Sequence, residues 1–474
     1  MTSYRDLESA TTGYRDLSFW HDTVDGPLLP RPPLDGDTDV DVAIVGAGFT
    51  GLWTAYYLAL ADQRLRIAVC EREIAGFGAS GRNGGWCSAL FPASLPKLAR
   101  LAGPTKATAM YRALQETVDE VGRVAHEEGI DCGYSKGGTI TLARSGGQLE
   151  RARAAVAEAR EFGFGEDDLM LLDADATGRE CAAAGVRGGT YTPHCAAVHP
   201  ARLVRGLARA VEHHGVRIYE RTPVLDIVSS GPTPAVATPY GTVRAAAVIR
   251  ATEGYTPTLP GHRRLLMPVY SLMLSTTPLP RSFWDRVGLH RRQTFSDFRH
   301  LIIYGQRTED DRLAFGGRGA PYHFGSRIRP EYDRESEVFV KLYESLRDLF
   351  PALSEVDHEV THTWGGPLGV PRDWCASVAF DREHGVGHAS GYVGDGVAAS
   401  NLAGRTLADL VLGHRTALVD LPWVGHRSPR WEPEPLRWLG VNVTRRAVAA
   451  ADRSEHRTGR ESRLAPLVSR LVGD

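Results

Sequence analysis

Apolar positions along the first hundred residues arrive in two rhythms. Val40, Val42, Ala43, Ile44 and Val45 form a short continuous run closed by glycine, the pattern of a strand buried on both faces. Residues 50–61, TGLWTAYYLALA, have helical length and apolar spacing, and 65–71, LRIAVCE, read as a second strand. That order is β-α-β. Helical patterning returns over about 104–128 and 147–162, with the strand-like GGTITLARS between. From residue 199, Leu203, Val204, Leu207, Ala208 and Val211 fall on one face of a helix that leads into another strand. Short strands follow at 224–228, 234–238 and 242–249. From 261 to about 380 tryptophan, tyrosine, arginine and glycine-rich turns predict a mainly antiparallel sheet. Residues 391–413 then read as a glycine turn opening a helix, and 436–474 as arginine-rich helical segments.

Composition narrows the class. At 474 residues the chain exceeds one simple core, and 42% hydrophobic with 24% charged residues is ordinary for a soluble protein. A formal net charge of -2 argues against nucleic-acid binding. The N-terminal twenty residues lack the apolar core of a secretory signal, and no apolar run reaches membrane-spanning length. Cysteines 70, 87, 132, 181, 195 and 375 are scattered without a CxxC pair, so neither a disulfide framework nor a zinc site is expected. The thiols read as reduced and the protein as cytoplasmic. The tetrad Tyr-Arg-Asp-Leu at 4–7 and 14–17 is too short for a repeat, and the first part of that arm reads as weakly structured.

The first motif with chemistry is VAIVGAGFTG, which places Gly46, Gly48 and Gly51 between the predicted strand and helix. The first glycine permits the tight turn, the second lets a pyrophosphate approach the backbone, and the third lets the helix pack against the strand. Glu71 ends the second strand, 20 residues after Gly51, where a carboxylate can accept from ribose hydroxyls. The loop GASGRNGGW follows at 78–86, offering bare backbone N–H groups, small polar side chains and one arginine.

Five segments in order, DVAIVGAGFTGLWTAYYLA, GASGRNGG, AAVHPARLVRGLA, VIRATEGYT and GYVGDGVAASNLAGRTLADL, resemble the D-amino-acid oxidase superfamily of FAD-dependent oxidoreductases. The nearest resemblance is to its gamma-glutamylputrescine oxidase-like branch, over roughly residues 18–470. It implies an α/β (α+β overall) fold, with a Rossmann-like FAD-binding domain interleaved with a mainly antiparallel-sheet substrate domain, as in glycine and sarcosine oxidases. The expected division is an arm and linker over 1–37, the FAD-binding domain over 38–95, 190–260 and 381–415, the substrate domain over 96–189 and 261–380, and a tail over 416–474.

The resemblance implies FAD contacts from Gly46, Gly48, Phe49, Thr50, Gly51, Glu71 and Arg72, and from Gly78, Ala79, Ser80, Arg82, Asn83, Gly84 and Gly85 in the loop. Further contacts are expected from Val224, from Ala251, Thr252 and Gly254, and from Gly394, Asp395, Gly396 and Val397. Val224 reads equally as a core residue, and His199-Pro200 as a helix start. The implied chemistry is oxidation of a C–N bond of a small amine or amino acid by hydride transfer to flavin N5. The imine is then hydrolysed and the flavin reoxidised by O2 to give H2O2. A dehydrogenase feeding a quinone or carrier protein, or a non-catalytic flavoprotein subunit, is the alternative. No metal is expected. Candidate substrate-side residues are Arg299, His300, Tyr304, Arg318, Tyr322 and Trp364: arginine would bind a carboxylate, and aromatic walls an amine. Only Lys97, Lys106, Lys136 and Lys341 occur, so no lysine between 137 and 340 can sit over a flavin as in some relatives. Cys375 reads as a buried thiol rather than a covalent flavin ligand. The tail, with Leu436, Leu439, Val443 and Ala447 at helical spacing among Arg437, Arg445 and Arg446, reads as packing onto the FAD domain, the alternative being a helix on a membrane surface.

Overall fold

A computed structural model describes residues 13–229 and 233–458. The first Tyr-Arg-Asp-Leu tetrad, the weak structure expected around it, and the tail beyond 458 lie outside these residues.

The predicted β-α-β unit comprises β1 (Thr38–Val45), α1 (Phe49–Ala61) and β2 (Ile67–Cys70). Val42, Ala43, Ile44 and Val45 are all buried, as a continuous apolar run between two layers requires. β1 lies at the centre of the first sheet, parallel to β2 on one side and to Gly241–Arg250 on the other. The path continues outward through Arg217–Tyr219 beyond β2, and through Val386–Ser390 and Ser377–Asp381 beyond Gly241–Arg250. Helix Gly396–Leu412 packs against α1.

The second sheet has eight strands and is antiparallel apart from one parallel pair, Thr294–Asp297 with Thr139–Ala143. Its spine pairs Met267–Thr276 with Val360–Val370, and its apolar face is filled by Leu272, Leu274, Phe295, Phe315 and Phe350.

Two expectations are corrected here. Helix Pro104–Glu127, expected with the substrate domain, shares the core of the first sheet: Met110, Leu114, Val118 and Val121 belong to the same buried cluster as Ile44, Leu52 and Leu402. The tail helix, Leu436–Thr458, was expected on the FAD domain but is bonded to loops of the second sheet. Asn442 donates to the Tyr322 carbonyl at 3.1 Å, and Asp452 accepts the His300 and Leu301 N–H groups at 2.8 Å each.

Candidate functional site

The turn after β1 starts the site. Gly46 takes φ +107°, and a Cβ there would lie 2.7 Å from the Ala251 carbonyl oxygen, so the end of β1 and the segment after Gly241–Arg250 meet at backbone contact. Gly51 sits beneath, where a Cβ would be 2.0 Å from the Gly46 oxygen. α1 begins at Gly48, which has no side chain to cap the helix; Ser80 takes the Phe49 N–H, and the positive dipole end at Gly48, Phe49 and Thr50 borders the cavity. The helix Gly396–Leu412 also lacks a side-chain cap, and Gly396 and Val397 line that cavity. The same cavity is thus lined by the starts of two helices.

Glu71 lines it too. One carboxylate oxygen accepts the Ala47 N–H at 2.8 Å and the other the Glu73 N–H at 2.9 Å, which fixes the carboxylate while leaving each oxygen a lone pair. Burial pushes its pKa up, against those N–H groups. Phe49, Thr50, Arg72, Gly78, Ala79, Ser80, Asn83, Val224, Ala251, Thr252, Gly254 and Gly394 complete most of the wall. These groups fit FAD: a carboxylate that can accept from ribose hydroxyls, backbone N–H groups for a pyrophosphate, and a second helix N-terminus. A Cβ on Gly48 would stand 2.8 Å from Ser80 Oγ, so the close approach is built in.

The loop at 78–86 is held from several sides. Ser80 Oγ accepts the Phe49 N–H at 2.8 Å. Asn83 donates to the Ala79 and Ser80 carbonyls at 3.0 and 2.9 Å and accepts the Gly85 N–H at 2.8 Å, closing the short helix Ala79–Arg82 on itself. Arg82 is buried, donating to Asp333 at 2.8 Å and to the Tyr255 hydroxyl at 2.9 Å. The Trp364 and Trp20 indoles donate to the Arg82 and Asn83 carbonyls at 2.9 and 2.8 Å. Arg82 and Asn83 therefore border the cavities while their polar bonds run into the protein. Gly85 faces Gln306 and Val198 instead of either cavity.

A second cavity of about 450 Å3 adjoins the first, a size suited to a small molecule. Ala79, Asn83, Leu368 and Gly394 line both. At the junction stand Asp395, Arg318 and Tyr304; Arg82 and Gly84 also border the second cavity. Tyr304 shares a 2.7 Å hydrogen bond with Ser271, and Arg318 donates to the Val393 carbonyl. Burial raises the Asp395 pKa to about 6, with Arg318 pulling the other way. Gln115, Glu158, Asp168 and His194 also line this cavity, with Leu90, Phe164, Phe298 and Ile302 among the apolar walls.

Four of the six substrate-side candidates are placed elsewhere. Arg299 is paired with Asp297 at 2.7 Å. His300 reaches Glu455 at 2.9 Å, in a cluster with Asp452 whose carboxylates already accept N–H groups and the Arg151 guanidinium. Tyr322 donates to Glu434 at 2.7 Å, and Trp364 is enclosed in the core beneath the loop. His199 is a helix cap, accepting the Arg202 N–H at 3.2 Å, and Cys375 is a buried thiol. Sequence reasoning missed Tyr255, Asp333 and Trp20. Nothing local marks them, because their roles arise from contacts across 63 to 251 positions of chain.

Fold and site together define a flavin-dinucleotide oxidoreductase with a second cavity beside the cofactor site. The chain matches the family model described as FAD dependent oxidoreductase (DAO) over residues 41–410 and belongs to that family; its cofactor is FAD. It is 31% identical over 393 residues to the gamma-glutamylputrescine oxidoreductase of Escherichia coli, covering 81% of this chain and 86% of that protein. It is 29% identical over 387 residues to the probable oxidoreductase OrdL of Haemophilus influenzae, covering 81% and 85%. The crystal structure of glycine oxidase from Geobacillus kaustophilus superposes with a TM-score of 0.65 at 25% identity, covering 82% of this chain and 99% of that one.

Proposed function

We propose that the protein oxidises the C–N bond of a small amine or amino acid bound in the second cavity. The observation that carries this reading is the junction of the two cavities at Ala79, Asn83, Leu368 and Gly394, with Asp395, Arg318 and Tyr304 beside it. Bound FAD supplies the hydride acceptor. Asp395 holds the incoming ammonium and takes its proton, since its pKa of about 6 leaves it ionised at neutral pH. Arg318 keeps that carboxylate charged and draws an acidic substituent toward the same end. Tyr304, fixed by Ser271, supplies an aromatic wall for the carbon being oxidised. Loss of hydride and proton leaves a C=N bond, which water converts to a carbonyl compound and the free amine or ammonia. Molecular oxygen then accepts the two electrons and two protons, giving H2O2.

The test is anaerobic bleaching of the flavin against a panel of primary, secondary and acidic amines. At least one should bleach it, and the same compound should yield peroxide in air. Bleaching without peroxide, with turnover on an artificial acceptor, would assign a dehydrogenase. Failure of every amine would overturn the reading in favour of a non-catalytic flavoprotein.

A further inference from the structure

The C-terminal helix, Leu436–Thr458, turns both its carboxylates and Arg445 inward. Arg445 donates to the Gly319 carbonyl at 2.8 Å, Asp452 accepts two backbone N–H groups, and Glu455 pairs with Arg151 at 2.7 Å. Asp452 and Glu455 are the helix's only carboxylates, so its outward face carries none. On that face Leu436, Leu439 and Val443 are 62%, 48% and 62% exposed, flanked by Trp438 at 39%. The same stripe continues at helical spacing through Arg446, Arg453 and Arg457, all exposed. Beside the start of the helix, Phe324 is exposed, and so is Arg263, which donates to the Gly325 carbonyl. A helix C-terminus attracts cations, which accounts for Arg457 alone. It does not account for three aliphatic side chains held out in water on successive turns.

We propose that this helix lies flat on an anionic lipid surface. Two copies of the chain are a poorer match. Antiparallel helices would set the aliphatic half of one on the arginine half of the other, and parallel helices would set arginine on arginine. A lipid surface meets both halves at once. Phosphate headgroups take the arginines, the acyl boundary takes Leu436, Leu439 and Val443, and Trp438 sits at the interfacial level. No helix among the described residues is long and apolar enough to cross a membrane, so the contact is peripheral.

The experiment is sedimentation of the FAD-loaded full chain with phosphatidylcholine vesicles, with and without phosphatidylglycerol. The expected result is binding to the phosphatidylglycerol vesicles at least about tenfold tighter than to neutral ones, weakening as salt rises from about 50 to about 500 mM. Leu439→Ser/Val443→Ser and Arg446→Glu/Arg453→Glu/Arg457→Glu should each abolish it while the flavin spectrum stays unchanged. Val340→Ser, which removes an exposed aliphatic side chain on another helix, should leave it intact. Equal binding by all variants, no binding at low salt, or a concentration-dependent dimer broken by the same substitutions would overturn the proposal.

Discussion

Asp395 shows how much one residue's setting contributes. It is the N-cap position of the helix Gly396–Leu412, yet its side chain makes no capping bond and borders the second cavity instead. An ordinary N-cap aspartate would spend its carboxylate on the helix. Freed from that bond and desolvated, this one titrates at about 6. With a substrate that bleaches the flavin, kcat/KM should rise with pH through about 6 as Asp395 ionises. Asp395→Asn should lower kcat/KM by about 100-fold and flatten that limb, as read from a pH–rate profile. A limb that survives the substitution would assign the proton to another group.

Among the elements, the loop at 78–86 depends on partners that arrive from three directions. The N-terminal segment brings Trp20, the second sheet brings Trp364, and the turn Pro330–Arg334 brings Asp333. The Arg82–Asp333 ion pair is the costliest of these to break, because the Arg82 side chain is only 3% exposed. Asp333→Ala would leave that guanidinium buried without its counter-ion and should cost about 3–5 kcal/mol in a urea melt. The loop's composition announces close backbone approach. Which side chains would clamp it is absent from its own nine letters, since Asp333 lies 251 positions from Arg82.

For the whole molecule, Glu253 joins parts that are far apart in sequence. It follows the strand Gly241–Arg250 with a left-handed φ of +38°, and one oxygen accepts the N–H groups of Gly391 and Tyr392 at 3.1 Å each. The other oxygen faces Gly369, where a Cβ would stand 2.0 Å away, so the end of the second sheet's spine closes over it. Burial raises the Glu253 pKa to about 7. Because its folded pKa lies above the unfolded value, the folded state holds the proton more tightly, and this group's contribution to stability is lost as pH rises from about 4.5 to about 7. Glu253→Gln should therefore shrink the fall in Tm between pH 5 and pH 7.5, measured on the same preparation by calorimetry; an unchanged difference would mean the carboxyl is ionised throughout.

By itself the sequence determined the β-α-β unit, the glycine turn with a carboxylate closing the second strand, the antiparallel character of 261–380 and the glycine turn that opens the last long helix. Each is local, written in apolar periodicity or in a backbone conformation only glycine takes easily. Tertiary structure decided which arginine reaches the cavities. Arg299 and Arg318 look alike along the chain, but Asp297 neutralises the first while the second stands at the junction of two cavities. It also decided where two helices belong. An amphipathic stripe says that a face is buried without saying against what, so Pro104–Glu127 joined the first core, and the tail helix turned its carboxylates to the second sheet and its leucines outward.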